Sequence, residues 1–104
     1  MILYLPINRG ICVNQWLILM PQRVRGQYAY VAHEQCHQEQ MRKTGTWTFW
    51  WRYLTDQQFR INAEVEAYKV QIEFGETLDY CAYQLSIGYR DGMPLADAYK
   101  LLRN

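Results

Sequence analysis

The stretch YAYVAHEQCHQEQMRK, Tyr28 to Lys43, carries a helical period and a chemical pattern at once. From about Gln27 to Lys43 there is no Pro or Gly, and Ala29, Tyr30, Val31, His33, His37 and Met41 recur at helical spacing. Gly45 follows as a terminator. Inside this helix His33-Glu34-Gln35-Cys36-His37 matches H-E-x-x-H. Residues four apart share a helix face with Cβ atoms about 5–6 Å apart. Both imidazoles therefore reach one ion at Zn–N distances of about 2.0–2.1 Å. At 3.6 residues per turn, Glu34 sits about 100° round the helix from His33 and about 60° from His37. It leans towards a water at the metal without binding the metal itself, as a general base must.

A catalytic zinc takes three protein ligands and leaves one position open. The third donor is expected in the next long helix, at Glu64 or Glu66 within Asn62-Ala-Glu-Val-Glu-Ala-Tyr68. Two residues apart means about 200° of rotation, so both acids cannot face one ion, and spacing alone does not choose between them. Cys36 is a weaker candidate, turned to the far side of His33 from the bisector of the imidazoles.

Working outward, residues 2–5 (ILYL) and 15–20 (QWLILM) are short and apolar, with turn-prone Asn8-Arg9-Gly10 between them. They read as an antiparallel pair closed by Pro21, with a third strand around residues 11–13. The block TWTFWWRYL at 46–54 is dense in aromatics and reads as core and connector. A helix is expected from about Asp56 to Phe74, another from Thr77 (as N-cap) to Ile87, and a short last one over Leu95–Leu102. The order is a small sheet followed by helices, an α+β arrangement in a single domain over 1–104.

These residues bear a family likeness. Ala32-His-Glu-Gln-Cys-His-Gln-Glu-Gln40, followed by Ala63-Glu-Val-Glu-Ala-Tyr68, resembles a minimal gluzincin. That grouping includes the small soluble minigluzincins and the catalytic cores of some membrane metallopeptidases. There the third ligand often begins an E-x-x-A-D or E-x-E-A-D pattern on the helix behind the active-site helix. The resemblance thus implies His33, His37 and Glu64 as ligands of one Zn2+, with Glu34 catalytic and Glu66 the internal acid. Tyr68 stands where an aspartate is common, and is implied as a neighbour of the site or an oxyanion donor. The likeness also implies a zincin-like fold, in which a small antiparallel sheet packs on the active-site helix and a backing helix, with C-terminal helices beyond. In it the segment Gln15–Met20, with Trp16, Leu17, Ile18 and Leu19, is the edge strand that binds substrate in extended form. Some relatives are latent, a part that the tail Leu101–Asn104 could play here.

Composition narrows the partners. Eleven basic and ten acidic side chains give a formal net charge of +1, without the basic surplus of a nucleic-acid binder. The apolar run Trp16–Met20 is too short to span a bilayer, and MILYLPINRG does not read as a signal peptide. Three cysteines without C-x-x-C spacing read as reduced thiols in a cytoplasmic protein. The expected activity is zinc-dependent hydrolysis of peptide bonds, by an endopeptidase acting on peptides or proteins. The alternative is a catalytically silent zinc-binding interaction domain, which needs neither Glu34 nor an open cleft. For the oxyanion, Tyr68, Tyr83, Tyr89 and Arg90 have suitable chemistry.

Overall fold

A computed structural model describes residues 1–88 and 92–103. Its strands β1 (Ile2–Leu5), β2 (Ile11–Cys12) and β3 (Ile18–Pro21) form one sheet in the order β1-β3-β2. β3 runs parallel to β1, with Ile2 opposite Ile18, and antiparallel to β2, with Ile11 opposite Leu19. The sheet is therefore mixed, which corrects the expected antiparallel pairing of the two apolar runs. The cause is a turn one step further along the chain. Asn14 Oδ1 accepts the N–H groups of Trp16 (2.8 Å) and Leu17 (2.9 Å), a side-chain imitation of a backbone turn. That turn folds β3 back along β2, while the Asn8-Arg9-Gly10 segment carries the chain to the far side of β3.

A second correction follows. Ile18 and Leu19 lie in the central strand, paired on both sides, and Trp16 and Leu17 lie in the turn. A central strand has no free ladder for a peptide. The expected substrate-binding edge over Trp16, Leu17, Ile18 and Leu19 is thus not an edge, and β2 and β1 flank it.

Five helices follow: α1 (Tyr28–Thr44), α2 (Thr46–Thr55), α3 (Gln57–Glu73), α4 (Leu78–Gly88) and α5 (Leu95–Arg103). Gly45, at φ +94°, ends α1 by donating to Met41 O (2.7 Å) and starts α2 by accepting from Phe49 N (2.8 Å). Only glycine adopts that conformation without strain. Asp56 caps α3 by accepting from Phe59 N (3.1 Å), and Thr77 Oγ1 accepts from Tyr80 N (3.1 Å) at the start of α4.

α1 and α3 pack antiparallel. Tyr28 stacks on Phe74, His33 meets Tyr68, His37 meets Glu64, and Gln40 bonds to Ala63 O. The buried stripe of α3 is Ala63, Ala67 and Gln71, and its two small methyl groups let the helix axes close together. One core (Ile18, Met20, Val24, Met41, Phe49) lies between the sheet, α1 and α2. A second (Cys81, Ala82, Leu85, Ala98, Leu102) lies where α4 and α5 meet. The aromatic block divides by face. Phe49 is 2% exposed and Trp50 donates to Val13 O (2.9 Å), whereas Trp47 is 90% exposed. Among the described residues no helix is long and apolar enough to cross a membrane. Cys12, Cys36 and Cys81 are free thiols.

Candidate metal centre

A helix normally buries apolar side chains, but α1 buries His33, Glu34 and His37 beside Ala32 and Met41. His33 and Glu34 are each 8% exposed and His37 6%. From α3, Glu64 reaches between the two imidazoles, with Oε1 2.5 Å from His37 Nε2 and 3.8 Å from His33 Nε2. One donor atom from each of His33, His37 and Glu64 lies within 4.8 Å of the others. Two donors on one tetrahedral ion at about 2 Å stand roughly 3.3 Å apart, so the set needs only small adjustments to share an ion.

The packing resolves the choice that spacing left open. Glu66 points to the other side of the seam, where its Oε1 accepts from Cys36 Sγ (3.5 Å) and Gln40 Nε2 (3.3 Å). Cys36 accordingly stands apart from the imidazoles. Burial, then the Glu66 carboxylate, pushes its thiol up to about 12.

The orientation of His37 is set from behind. Gln40 Nε2 donates to Ala63 O (3.0 Å), so its amide oxygen faces His37 Nδ1 at 2.8 Å. That oxygen accepts the Nδ1 hydrogen, which directs Nε2 at Glu64 and the shared site. Position i+3 from His37 was the sequence signal for Gln40, and it was missed. Gln71, 2% exposed, was missed as well; it shares the Ala63–Ala67 stripe and lines the same cavity as His33.

Electrostatics separate the two histidines. Burial drives His33 down to about 4, against the attraction of Glu64. For His37 burial also pulls downward, but the Glu64 carboxylate, its hydrogen bond and Glu34 carry it up to about 9. Burial works to raise Glu64, yet His37, His33 and Arg60 hold it below the ordinary carboxylate value. Glu34 is pushed up to about 7 by burial, with His37 opposing.

Among the described residues three buried side-chain atoms have no hydrogen-bond partner, and two of them, His33 Nδ1 and Glu34 Oε2, lie at this site. An orphaned carboxylate oxygen is costly inside a protein and signals a missing water or ligand. Both residues line a cavity of about 390 Å³ together with His37, Glu64 and Tyr68. The backbone of Gly10 closes over Glu34, where a Cβ would stand 3.6 Å from Glu34 Cγ and 2.9 Å from Met20 Sδ. Gly10, Ile11 and Cys12 of the sheet edge line the cavity, whereas Trp16, Leu17, Ile18 and Leu19 do not.

Tyr68 lies edge-on to His33, with ring centres 4.5 Å apart, and burial keeps its phenol protonated well above the usual range. Tyr83 is exposed and does not line the cavity. Tyr89 and Arg90 lie outside the described residues. Leu101–Arg103 belong to α5, with Leu102 in the second core, and none of them lines the cavity. A mixed set of two imidazoles and one carboxylate, beside an open volume and a further buried acid, fits Zn2+. No family model, curated protein or solved structure matches this chain.

Proposed function

We propose that this chain is a zinc-dependent metallopeptidase of gluzincin type that hydrolyses peptide bonds with Glu34 as general base. The observation that carries the reading is the convergence of His33, His37 and Glu64 from two helices, with an unpartnered Glu34 oxygen at the same cavity. His33, His37 and Glu64 would hold one Zn2+, and Gln40 orients His37 behind it. When bound, the ion supplies Lewis acidity to a carbonyl oxygen and acidifies a water.

The remaining chemistry belongs to the chain. Glu34 takes the proton of the attacking water and returns it to the departing amine. Burial raises its carboxyl above the ordinary value in the metal-free chain, the direction that favours taking up a proton. The Tyr68 phenol, held protonated, donates towards the oxygen on which charge develops. Phe49, Met20 and Met41 give the cavity apolar walls beside these groups, which strengthens the charge interactions there.

The test is peptide cleavage by the zinc-loaded chain and by Glu34→Gln, with metal content measured in both. The substitution keeps size and removes the base. We expect unchanged zinc and a fall in rate of about 10²–10⁴-fold. Equal rates in the two proteins would refute Glu34 as the base, and zinc without any cleavage would leave a silent zinc-binding interaction domain.

A further inference from the structure

Arg60 lies one turn before Glu64 on α3, about 6 Å along the axis, and lines the same cavity. Its guanidinium is held by neutral groups. Nη2 donates to Gly88 O (3.2 Å) at the end of α4, and the guanidinium carbon lies 5.0 Å from the centre of the Tyr53 ring. Among the described residues no carboxylate comes within 4.0 Å to pair with it. Glu64 is near enough to feel its charge, but that carboxylate is committed to the two imidazoles. The half-buried guanidinium has Glu64 within electrostatic reach, and its bond to Gly88 uses only one of its five donors.

The surroundings point the same way. Arg9, Arg23 and Arg60 line the cavity, and among the described residues Glu34 and Glu64 are its only acids. Three guanidinium groups against two carboxylates favour anions in the cavity, and the proposed zinc ion would add to that. Beside it, between α3 and α4, a recess of about 20 Å³, enough for one water molecule, is bordered by Arg60, Glu64, Tyr68, Gln84 and Gly88.

We propose that Arg60 determines specificity by binding a carboxylate of the peptide substrate. This rests on the peptidase reading above and adds the substrate class. The planar guanidinium fork matches a carboxylate with two parallel hydrogen bonds. The carboxylate comes from the peptide C-terminus or from an Asp or Glu side chain near the bond cut.

The experiment uses the zinc-loaded Glu34→Gln protein, which binds without turnover, and one fluorescent alanine-based hexapeptide in four forms. These carry a free or amidated C-terminus, combined with an internal Glu or Gln. Anisotropy titration should show at least tenfold tighter binding for a form with a carboxylate than for the fully neutral form. Arg60→Gln should reduce that gap to under twofold, and Arg60→Lys should restore part of it. Loss of the gap on amidation assigns the carboxylate to the C-terminus, and loss on Glu replacement assigns it to the side chain. Equal binding of all four forms, no binding of any, or a gap that survives Arg60→Gln overturns the proposal. The comparison of peptides on the parent protein needs no Arg60 variant, so misfolding cannot mask the answer. Preference without cleavage by the wild type sinks the peptidase reading alone, whereas cleavage without preference sinks the role of Arg60 alone.

Discussion

The seam between α1 and α3 has two polar faces built from similar parts. On one, His33 and His37 from α1 meet Glu64 from α3 beside the cavity. On the other, Cys36 and Gln40 from α1 meet Glu66 from α3 at the surface. Both faces aim α1 side chains at an α3 carboxylate, and the two acids are only two residues apart. Their surroundings differ. Glu66 is exposed and bonded by neutral groups, so it has no need of a cation. Glu64 is enclosed between imidazoles, and Glu34 beside it keeps an oxygen with no partner. Residue types become a ligand set where desolvation makes charges depend on one another and an open volume adjoins them. Gln40 joins the faces, accepting from His37 while donating to Glu66.

The largest contrast is in metal content. Glu64→Gln should reduce bound zinc from about one ion per chain to none, while Glu66→Gln should retain it, because three ligands hold a catalytic ion. Elemental analysis after gel filtration reads both, and the opposite pattern would exchange the roles of the two acids. Next comes the link between the faces. Gln40→Met keeps the volume but removes the acceptor at His37 Nδ1, and should weaken zinc binding about 10–100-fold in a chelator competition. An unchanged affinity would show that His37 is positioned without Gln40.

A smaller effect appears in the pH dependence of the metal-free protein. Glu64 raises His37 from 6.5 to about 9, so between these values the folded state binds more protons than the unfolded chain. Stability from this pair is fully present below pH 6.5 and is lost as the pH rises through 9. Melting temperature should therefore fall by several degrees over that window. Glu64→Gln should flatten the slope and Glu66→Gln should leave it, so an equal slope in all three proteins would reject the pairing. Smallest of all is Cys36→Ala. The Cys36–Glu66 contact is long and partly exposed, and its loss should cost under about 1 kcal/mol in urea unfolding. A cost of several kcal/mol would make the surface face a structural centre in its own right.

Four helices were legible because each carries its own period and its own ends, whereas α2 was not, since the block 46–54 read only as core and connector. Gly45, Asp56 and Thr77 punctuate the chain through local backbone bonds, and such bonds depend on neighbours in sequence. The sheet was not. Two residues of β2 are too few to show alternation, and the turn at Asn14 outranked the turn-prone residues at Asn8-Arg9-Gly10. An edge was consequently expected at Trp16–Leu19, where the centre of the sheet and its turn lie. Likewise the aromatic block showed its content but not which of its rings face inward.

From the sequence alone came the α+β class, the spacing that puts His33 and His37 on one helix face, and Glu34 between them. These follow from the 3.6-residue period, a property of the chain's nearest neighbours. Only the tertiary structure turned Glu64 rather than Glu66 towards the imidazoles, set Gln40 behind His37, and placed Arg60 at the cavity wall with its guanidinium on Gly88 O. Those outcomes depend on how closely Ala63 and Ala67 let α3 approach α1, and on the rotation of each helix about its axis. Packing between distant segments fixes both, and no local period encodes them.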